Sequence, residues 1–120
     1  MEKKVRNGFY NLTVKGGGFI IPLVGHAYDV EMFKQAKKLE VGNPVKIRPE
    51  PANKHDPYAL KVFINDRPIG YLPKMVAKAV MPVWDQLGIK VVGVKEYYDP
   101  KKGNTGLSVK MFAWFTGGGE

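Results

Sequence analysis

Two histidines are the residues of this sequence whose neighbours most suggest chemistry. His26 begins an H-x-x-D-x-E pattern with Asp29 and Glu31, and imidazole and carboxylate groups at such spacing can serve as ligands of a divalent metal. His55 is followed directly by Asp56, which is the pairing of a general base with the acid that orients it. A metal site and a His-Asp base are therefore the two catalytic hypotheses that the sequence offers.

Each catalytic hypothesis has a simpler structural alternative. Asp29 precedes an amphipathic segment, where it would act as a helix N-cap, and Glu31 would lie in the first turn, where the helix dipole favours a negative charge. His55 has no Ser or Thr near it within residues 47–63 to serve as a nucleophile, and the chain contains no Walker loop and no Cys. We therefore expect a non-enzymatic protein without metal or cofactor, and we keep a metal-dependent nuclease as an alternative to be tested.

The chain is basic for its size. Its 120 residues, enough for about one domain, carry 19 Lys and Arg against 11 Asp and Glu, for a formal charge of +8. Such a surface attracts anions, so nucleic acid is the first candidate partner, an anionic membrane the second, and an evenly charged surface without a site the alternative. The N-terminus has no apolar signal segment, no run approaches a membrane span, and Cys is absent, so we expect a cytoplasmic protein without membrane contact.

Alternating and helical patterns divide the rest of the chain into strands and two helices. Pro22 interrupts an apolar strand and indicates an edge or a bend, Asn65-Asp66 indicates a hairpin turn, and Pro82 should shorten the second helix. The expected elements are strands near 19–25, 44–48, 60–64, 67–72, 89–98 and 106–115, and helices near 30–41 and 74–87.

This order of elements favours a mainly β protein with two helices, which we expect to be an OB-like six-stranded curled sheet or small barrel with the helices at its ends. The first helix should turn Val30, Phe33, Ala36 or the adjacent Lys37, and Leu39 toward the core. Phe112 and Trp114 on the last strand are also expected in the core. We divide the chain into a basic N-terminal segment with a short strand before a flexible join, a single domain, and a loose tail, which span residues 1–17, 18–116 and 117–120.

The segment "RPEPANKHDPYAL" is rich in residues that restrict the backbone. Pro49 and Pro51 hold the residues before them extended, and Asn53 and Asp56 are suited to side-chain turns, so the segment should form a stiff loop across the surface. In the simplest interpretation Asp56 only caps a turn over Tyr58. Local sequence alone leaves open whether the loop binds a ligand.

Three motifs bear on this choice. The strings "VGHAYD", "VKIRPEPANKHDPYALKVF" and "IGYLP" together resemble the HIRAN domain, from about Val24 to Pro73 with compatible strands after it. The resemblance implies a modified OB-like β-barrel that captures single-stranded DNA at its 3′ end and acts in DNA repair or replication, with a helicase or nuclease as a candidate partner. A protein-interaction or RNA-binding module that uses the same groove is the alternative.

The resemblance assigns roles to individual residues. It implies that Tyr28 stacks on a base and that Asp56, with Asn53 beside it, accepts a hydrogen bond from the terminal 3′-hydroxyl. Ala27 stands where eukaryotic members have an Arg, and His55 replaces a Tyr, so we expect weaker binding and looser selection of the end. Together with residues expected to line the groove or to supply positive charge, the DNA-binding set is Tyr28, Arg48, Asn53, Lys54, His55, Asp56, Lys61, Tyr71, Lys74 and Tyr98.

Overall fold

The structure is a computed structural model, and it describes residues 18–116 with their side chains and the backbone of 3–6 and 11–14. The expected flexible join before Gly18 and the tail 117–120 lie outside the described residues. The strands are Lys3–Arg6 (β1), Asn11–Val14 (β2), Gly18–Pro22 (β3), Pro44–Pro49 (β4), Leu60–Ile64 (β5), Arg67–Tyr71 (β6), Leu87–Asp99 (β7) and Asn104–Phe115 (β8). The helices are Val30–Lys37 (α1) and Lys74–Val80 (α2), with short 3-10 turns at His26–Tyr28 and Met81–Gln86.

The strands of the described residues form two sheets. β1 pairs with β2, and the other six strands make one antiparallel sheet in the order β3-β8-β7-β4-β5-β6. A bridge between Val24 and Tyr71 brings the chain after β3 against β6, although the sheet stays open. β7 and β8 pair along their length with a shift in register between Val91 and Gly93, which bends the pair. The expected mainly β fold, a six-stranded curled sheet with two helices, is confirmed as an open sheet rather than a closed barrel.

The alternation of side chains along β4 shows which face of the sheet is buried. Val45 and Ile47 are buried, whereas Lys46 and Arg48 are exposed, as a period of two predicts. The buried face packs with both helices into one core. Its largest fully buried side chains are Ile21, Leu60, Val62, Ile69, Val80, Val91, Val109 and Met111. Within the described residues, no helix combines the length and the apolar character needed to span a membrane.

Turn and breaker residues act at the positions that the sequence indicated, although β3 ends at Pro22 rather than near residue 25. Asn65 and Asp66 both have positive φ, 47° and 65°, which fits a two-residue hairpin turn between β5 and β6. Pro22 ends β3, an edge strand, where its missing N–H costs no ladder hydrogen bond. α2 gives way to a 3-10 turn at Met81, just before Pro82, which cannot donate the next helical hydrogen bond.

α1 has the predicted cap, and its buried face agrees with the expected stripe only in part. The side chain of Asp29 accepts a hydrogen bond from the N–H of Met32 at 2.9 Å. The helix buries Met32 and Ala36, which are four residues apart and define its packed face, while Val30 is 76% exposed. The expectation that Val30 faces the core is therefore wrong, and the helix ends at Lys37 rather than near residue 41.

The last strand holds a second correction. Met111 and Ala113 are fully buried, so Phe112 and Trp114, which alternate with them, lie on the opposite face of the sheet and are only half-buried. Their expected place in the core is wrong because both faces of β8 carry large apolar residues, and such a pattern does not reveal which face is inside.

Candidate functional site

One asparagine holds the loop between β4 and β5. The Oδ1 atom of Asn53 accepts hydrogen bonds from the N–H groups of His55 at 2.8 Å and Asp56 at 3.0 Å. Its Nδ2 atom donates to Oε1 of Glu50 at 2.8 Å, and its N–H donates to the Glu50 carbonyl at 3.0 Å. Asn53 therefore orders the loop and positions His55 and Asp56.

Asp56 combines a structural contact with an open acceptor. Its Oδ1 atom accepts a hydrogen bond from the N–H of Tyr58 at 2.9 Å, which is the turn cap that the sequence offered as the simplest interpretation. No hydrogen bond from the described residues reaches Oδ2, and the side chain is partly exposed. His55 next to it is exposed. One oxygen of the carboxylate is thus able to accept a further hydrogen bond from solvent or from a ligand.

Glu50 links this loop to the sheet. Its Oε1 atom accepts hydrogen bonds from Nδ2 of Asn53 and from the hydroxyl of Tyr71, the latter at 2.9 Å. Its Oε2 atom accepts from Nζ of Lys61 at 3.0 Å. Lys61 and Tyr71 are cross-strand neighbours on β5 and β6, so the sheet register fixes both donors. Sequence reasoning missed Glu50, whose partners lie 11 and 21 residues away along the chain.

The network shifts the protonation equilibria of its three members. Burial raises the pKa of the Glu50 carboxyl, but the hydrogen bonds from Asn53, Lys61 and Tyr71 outweigh it and bring the pKa below its usual value. Burial lowers the pKa of Lys61, yet its contact with Glu50 raises it overall. Burial and the hydrogen bond to Glu50 both raise the pKa of Tyr71. At neutral pH the network therefore contains a carboxylate, an ammonium and a neutral phenol.

Two glycines allow β6 to approach the segment after β3. Val24 and Tyr71 exchange backbone hydrogen bonds of 2.9 and 2.8 Å. A Cβ on Gly70, which has φ of +155°, would lie 2.7 Å from the Val24 carbonyl oxygen. Gly25 has φ of +80°, and a Cβ there would lie 3.1 Å from the Tyr71 ring. Tyr71 thus contacts both the Glu50 network and the turn that presents Tyr28.

A groove of about 650 Å³ lies between the turn at His26–Tyr28 and the hairpin of β7 and β8. Tyr28 at this groove is 88% exposed, and the exposed Val30 lines it as well. Lys34 and Lys102 contribute positive charge to the lining, which also includes the carboxylates of Asp29 and Asp99. An exposed aromatic ring beside cations is suited to stack on a nucleobase while the cations meet phosphates.

Of the two adjacent tyrosines near the tip of the β7–β8 hairpin, Tyr97 lines this groove. The Tyr97 ring rests on Gly106, where an added Cβ would come within 2.5 Å of the ring. Tyr98 is 65% exposed and, as the next residue on β7, points to the other face of the strand. The structure therefore separates Tyr98 from Tyr28. The sequence could not distinguish two adjacent tyrosines without the phase of the strand.

The three residues of the metal hypothesis do not converge. His26 is buried, and its Nε2 atom donates to the Leu107 carbonyl at 2.6 Å, while Asp29 caps α1. Glu31 pairs with Lys34 at 3.7 Å on the helix surface. In residues 18–116, whose side chains the structure describes, no three His, Cys, Asp or Glu side chains are close enough together to hold a metal ion.

The expected cations differ in their availability. Arg48 lies 3.1 Å from Asp66 and 4.3 Å from the centre of the Phe63 ring, so its guanidinium points away from the loop. Lys54 at the loop and Lys74 at the start of α2 are exposed. Sequence reasoning missed a further lysine, one helical turn after Lys74. This lysine, Lys78, lies 5.6 Å over the ring of Tyr58, and its four-residue spacing from Lys74 was the available signal.

The family comparison agrees with this arrangement. A family model described as the HIRAN domain matches residues 17–116, which is nearly all of the described chain. The chain belongs to the HIRAN family. HIRAN domains are DNA-binding modules, so membership assigns DNA binding as the general activity and confirms the resemblance seen in the sequence.

Solved structures share the fold of this HIRAN domain. The HIRAN domain of human HLTF is 22% identical with a TM-score of 0.57, and the match covers 84% of this chain and 78% of that chain. A protein from Lactobacillus plantarum is 19% identical with a TM-score of 0.53, covering 82% of this chain and 95% of that one. At these identities the likeness establishes the fold alone. No curated protein sequence matches the chain.

Proposed function

We propose that this HIRAN domain binds single-stranded DNA and captures the free 3′-hydroxyl end at the loop that carries Asp56. It has a binding role without catalysis of its own, in DNA repair or replication, and a helicase or nuclease acts on the captured strand. The observation that supports this most is the open Oδ2 atom of Asp56, in a loop that Asn53 orders and that Glu50 links to Tyr71 of β6.

A carboxylate is an unusual group for a DNA-binding surface, and its chemistry favours a strand end. Two like unit charges about 4 Å apart repel each other by roughly 4 kcal/mol at an effective dielectric constant near 20. A phosphate that follows the bound sugar would meet this repulsion from Asp56. A terminal 3′-hydroxyl carries no charge and donates a hydrogen bond that Oδ2 can accept.

The neighbouring groove supports the stacking part of the proposal. Tyr28 and Tyr97 supply aromatic faces, and base stacking on such a face contributes roughly 1–3 kcal/mol per base. Lys34 and Lys102 along the same groove offer contacts to phosphates. The bridge between Val24 and Tyr71 joins β6, which Glu50 links to the loop, to the turn that lines the groove.

Asp56→Asn is the variant that tests the proposal. The Asn side chain keeps an oxygen for the Tyr58 N–H, so the loop should stay folded while the negative charge is lost. Fluorescence anisotropy would compare oligonucleotides that end in a 3′-hydroxyl or a 3′-phosphate. We expect the native protein to prefer the hydroxyl and the variant to lose most of this preference. Asp85→Asn, which removes the same charge from an exposed position outside the loop and the groove, is the matched control.

Three results would count against the proposal in different ways. Equal affinity of the native protein for both ends would refute end capture and leave general binding of single strands. No affinity for DNA at low salt would favour the protein-interaction alternative, and tighter binding of RNA would favour an RNA-binding module. Cleavage that EDTA abolishes would revive the nuclease.

A further inference from the structure

The outer face of the large sheet carries aromatic and basic side chains that the proposed site does not use. Lys90 on β7 lies opposite Phe112 on β8, so both point outward together. Trp114 lies on Gly88 and Phe112 on Gly18, since a Cβ on either glycine would come within 2.5 Å of the ring above it. The two rings therefore lie along the sheet, with centres 6.1 Å apart and an angle of 24° between their planes.

A groove of about 470 Å³ continues from Trp114 across β4 and β5. Lys46, Arg48 and Phe63 line it, and the Arg48 guanidinium lies 4.3 Å from the centre of the Phe63 ring. Asp66 is the acidic residue among those that line the groove, and Arg48 already neutralises it at 3.1 Å. The surface thus alternates flat rings with net positive charge.

We propose that this face is a second contact for single-stranded DNA, which binds the part of the strand 5′ of the nucleotides held at the loop and the Tyr28 groove. The inference rests on the proposed function and extends its site. Charge complementarity selects the occupant, because cations between half-buried rings that lie on the sheet fit a strand of phosphates and bases and oppose a basic peptide. OB-type sheets use their strand faces to bind oligonucleotides in this way.

The sheet register connects this face to the loop. Tyr71, Lys61 and Arg48 are cross-strand neighbours in one row, and Pro44, four residues before Arg48 on β4, pairs with Lys90 on β7. With about 4.8 Å between strands and about 3.3 Å per residue, the distance from Tyr71 to Lys90 is about 20 Å. At about 3.4 Å per stacked nucleotide, about six nucleotides would span it.

The length of the oligonucleotide therefore separates the two contacts. Strands of about four and about fifteen nucleotides, both with a free 3′-hydroxyl, would be measured by anisotropy over a range of salt concentrations. We expect Lys46→Gln and Lys90→Gln each to reduce the salt slope of the longer strand by about 0.7 and to weaken its binding, with no change for the shorter strand. Lys38→Gln, at the exposed end of α1, removes the same charge outside this face and should leave the slope unchanged.

Tryptophan fluorescence gives a second readout of the contact. The chain has two tryptophans, so Trp84→Phe leaves Trp114 as the sole indole. We expect the longer strand to quench Trp114 emission by stacking, and the shorter strand to leave it unchanged. The lysine variants keep the ring in place, so their result stands even if a replacement of Trp114 itself fails to fold.

The outcomes distinguish this inference from the proposed function. If the lysine variants lose the same affinity for both strand lengths, the two lysines act only through net charge. If the salt slope of the longer strand is unchanged and Trp114 emission is not quenched, the contact is excluded. Either result overturns the second contact and leaves end capture intact. If neither strand binds the native protein, the proposed function fails, and the inference fails with it.

Discussion

Replacing Glu50 by Gln isolates the charge at the centre of the loop network. The Gln oxygen can keep the hydrogen bonds from Asn53 and Tyr71, because its shape is that of the native side chain. Its Nε2 atom, however, is a donor and would face Nζ of Lys61, which now lies 3.0 Å from Oε2. The substitution therefore removes one charge-assisted hydrogen bond and leaves an ammonium against another donor.

The exposure of the Glu50–Lys61 pair sets the size of the stability loss that we expect for Glu50→Gln. Hydrogen bonds to charged groups contribute about 1.5–3 kcal/mol. The side chains of Lys61 and Glu50 are 25% and 29% exposed, so solvent screens part of the interaction, and we expect a loss of about 1.5 kcal/mol in the free energy of unfolding. At about 4–8 °C per kcal/mol for a domain of this size, Tm should fall by about 6–12 °C.

The pH dependence of stability gives an independent check that the charge of Glu50 causes this loss. The pKa of Glu50 is lowered from its ordinary 4.5, so its contribution is present above pH 4.5 and is lost as the pH falls through the folded-state pKa. Gln does not titrate, so below pH 4.5 the native protein should lose more stability than the Glu50→Gln variant. The free energies of unfolding of the two proteins should therefore converge in acid. Urea unfolding at neutral pH and in acid measures both free energies.

Glu31→Gln is the matched control for this experiment. Glu31 pairs with Lys34 at 3.7 Å on an open helix surface, in the first turn of α1, where loss of its charge costs about 0.5–1 kcal/mol. If Glu50→Gln costs no more than this control, or if its deficit persists unchanged in acid, the charge on Glu50 does not hold the loop.

Two further substitutions test the structural basis of the site. Gly25→Ala should destabilise the protein by about 1–3 kcal/mol in thermal unfolding. The loss should exceed that of Gly42→Ala, because both glycines have positive φ but only Gly25 lies against the Tyr71 ring. Tyr97→Ala should weaken binding of single-stranded DNA about 5-fold to 150-fold in an anisotropy titration, whereas Tyr98→Ala should have a smaller effect. Equal losses of affinity in the two variants would contradict binding of the strand in the groove that Tyr97 lines.

Local patterns were enough to predict the elements and the stiffness of the loop. The Asp29 cap, the Asn65 turn and the end of β3 at Pro22 each depend on residues that are neighbours in sequence. The turn at Asn53 is equally local, since its hydrogen bonds reach only two or three residues along the chain. These features follow from propensities that act over one turn, so no tertiary contact was needed to find them.

The features that the sequence did not predict depend on contacts between distant elements or on which face of a strand each residue occupies. Glu50 has no local signal, because its donors Lys61 and Tyr71 meet it only when β4, β5 and β6 form a sheet. The expected place of Trp114 in the core was wrong, and the sequence could not tell which of Tyr97 and Tyr98 faces the groove. Large apolar or aromatic residues occupy both faces of β8 and adjacent positions on β7, so periodicity does not reveal which face is inside.

The loop contains two carboxylates whose roles differ because their hydrogen bonds differ. Both oxygens of Glu50 accept hydrogen bonds from the protein, whereas only Oδ1 of Asp56 does so among the described residues. Asp56 is therefore the carboxylate that an incoming strand would meet, and in a protein of charge +8 it lowers the general attraction for DNA. If the loop captures a 3′ end as proposed, the benefit of Asp56 lies in selectivity, through a repulsion that penalises a continuing phosphate. Asn53 makes that penalty effective, because a loop fixed by its hydrogen bonds cannot easily turn the carboxylate away.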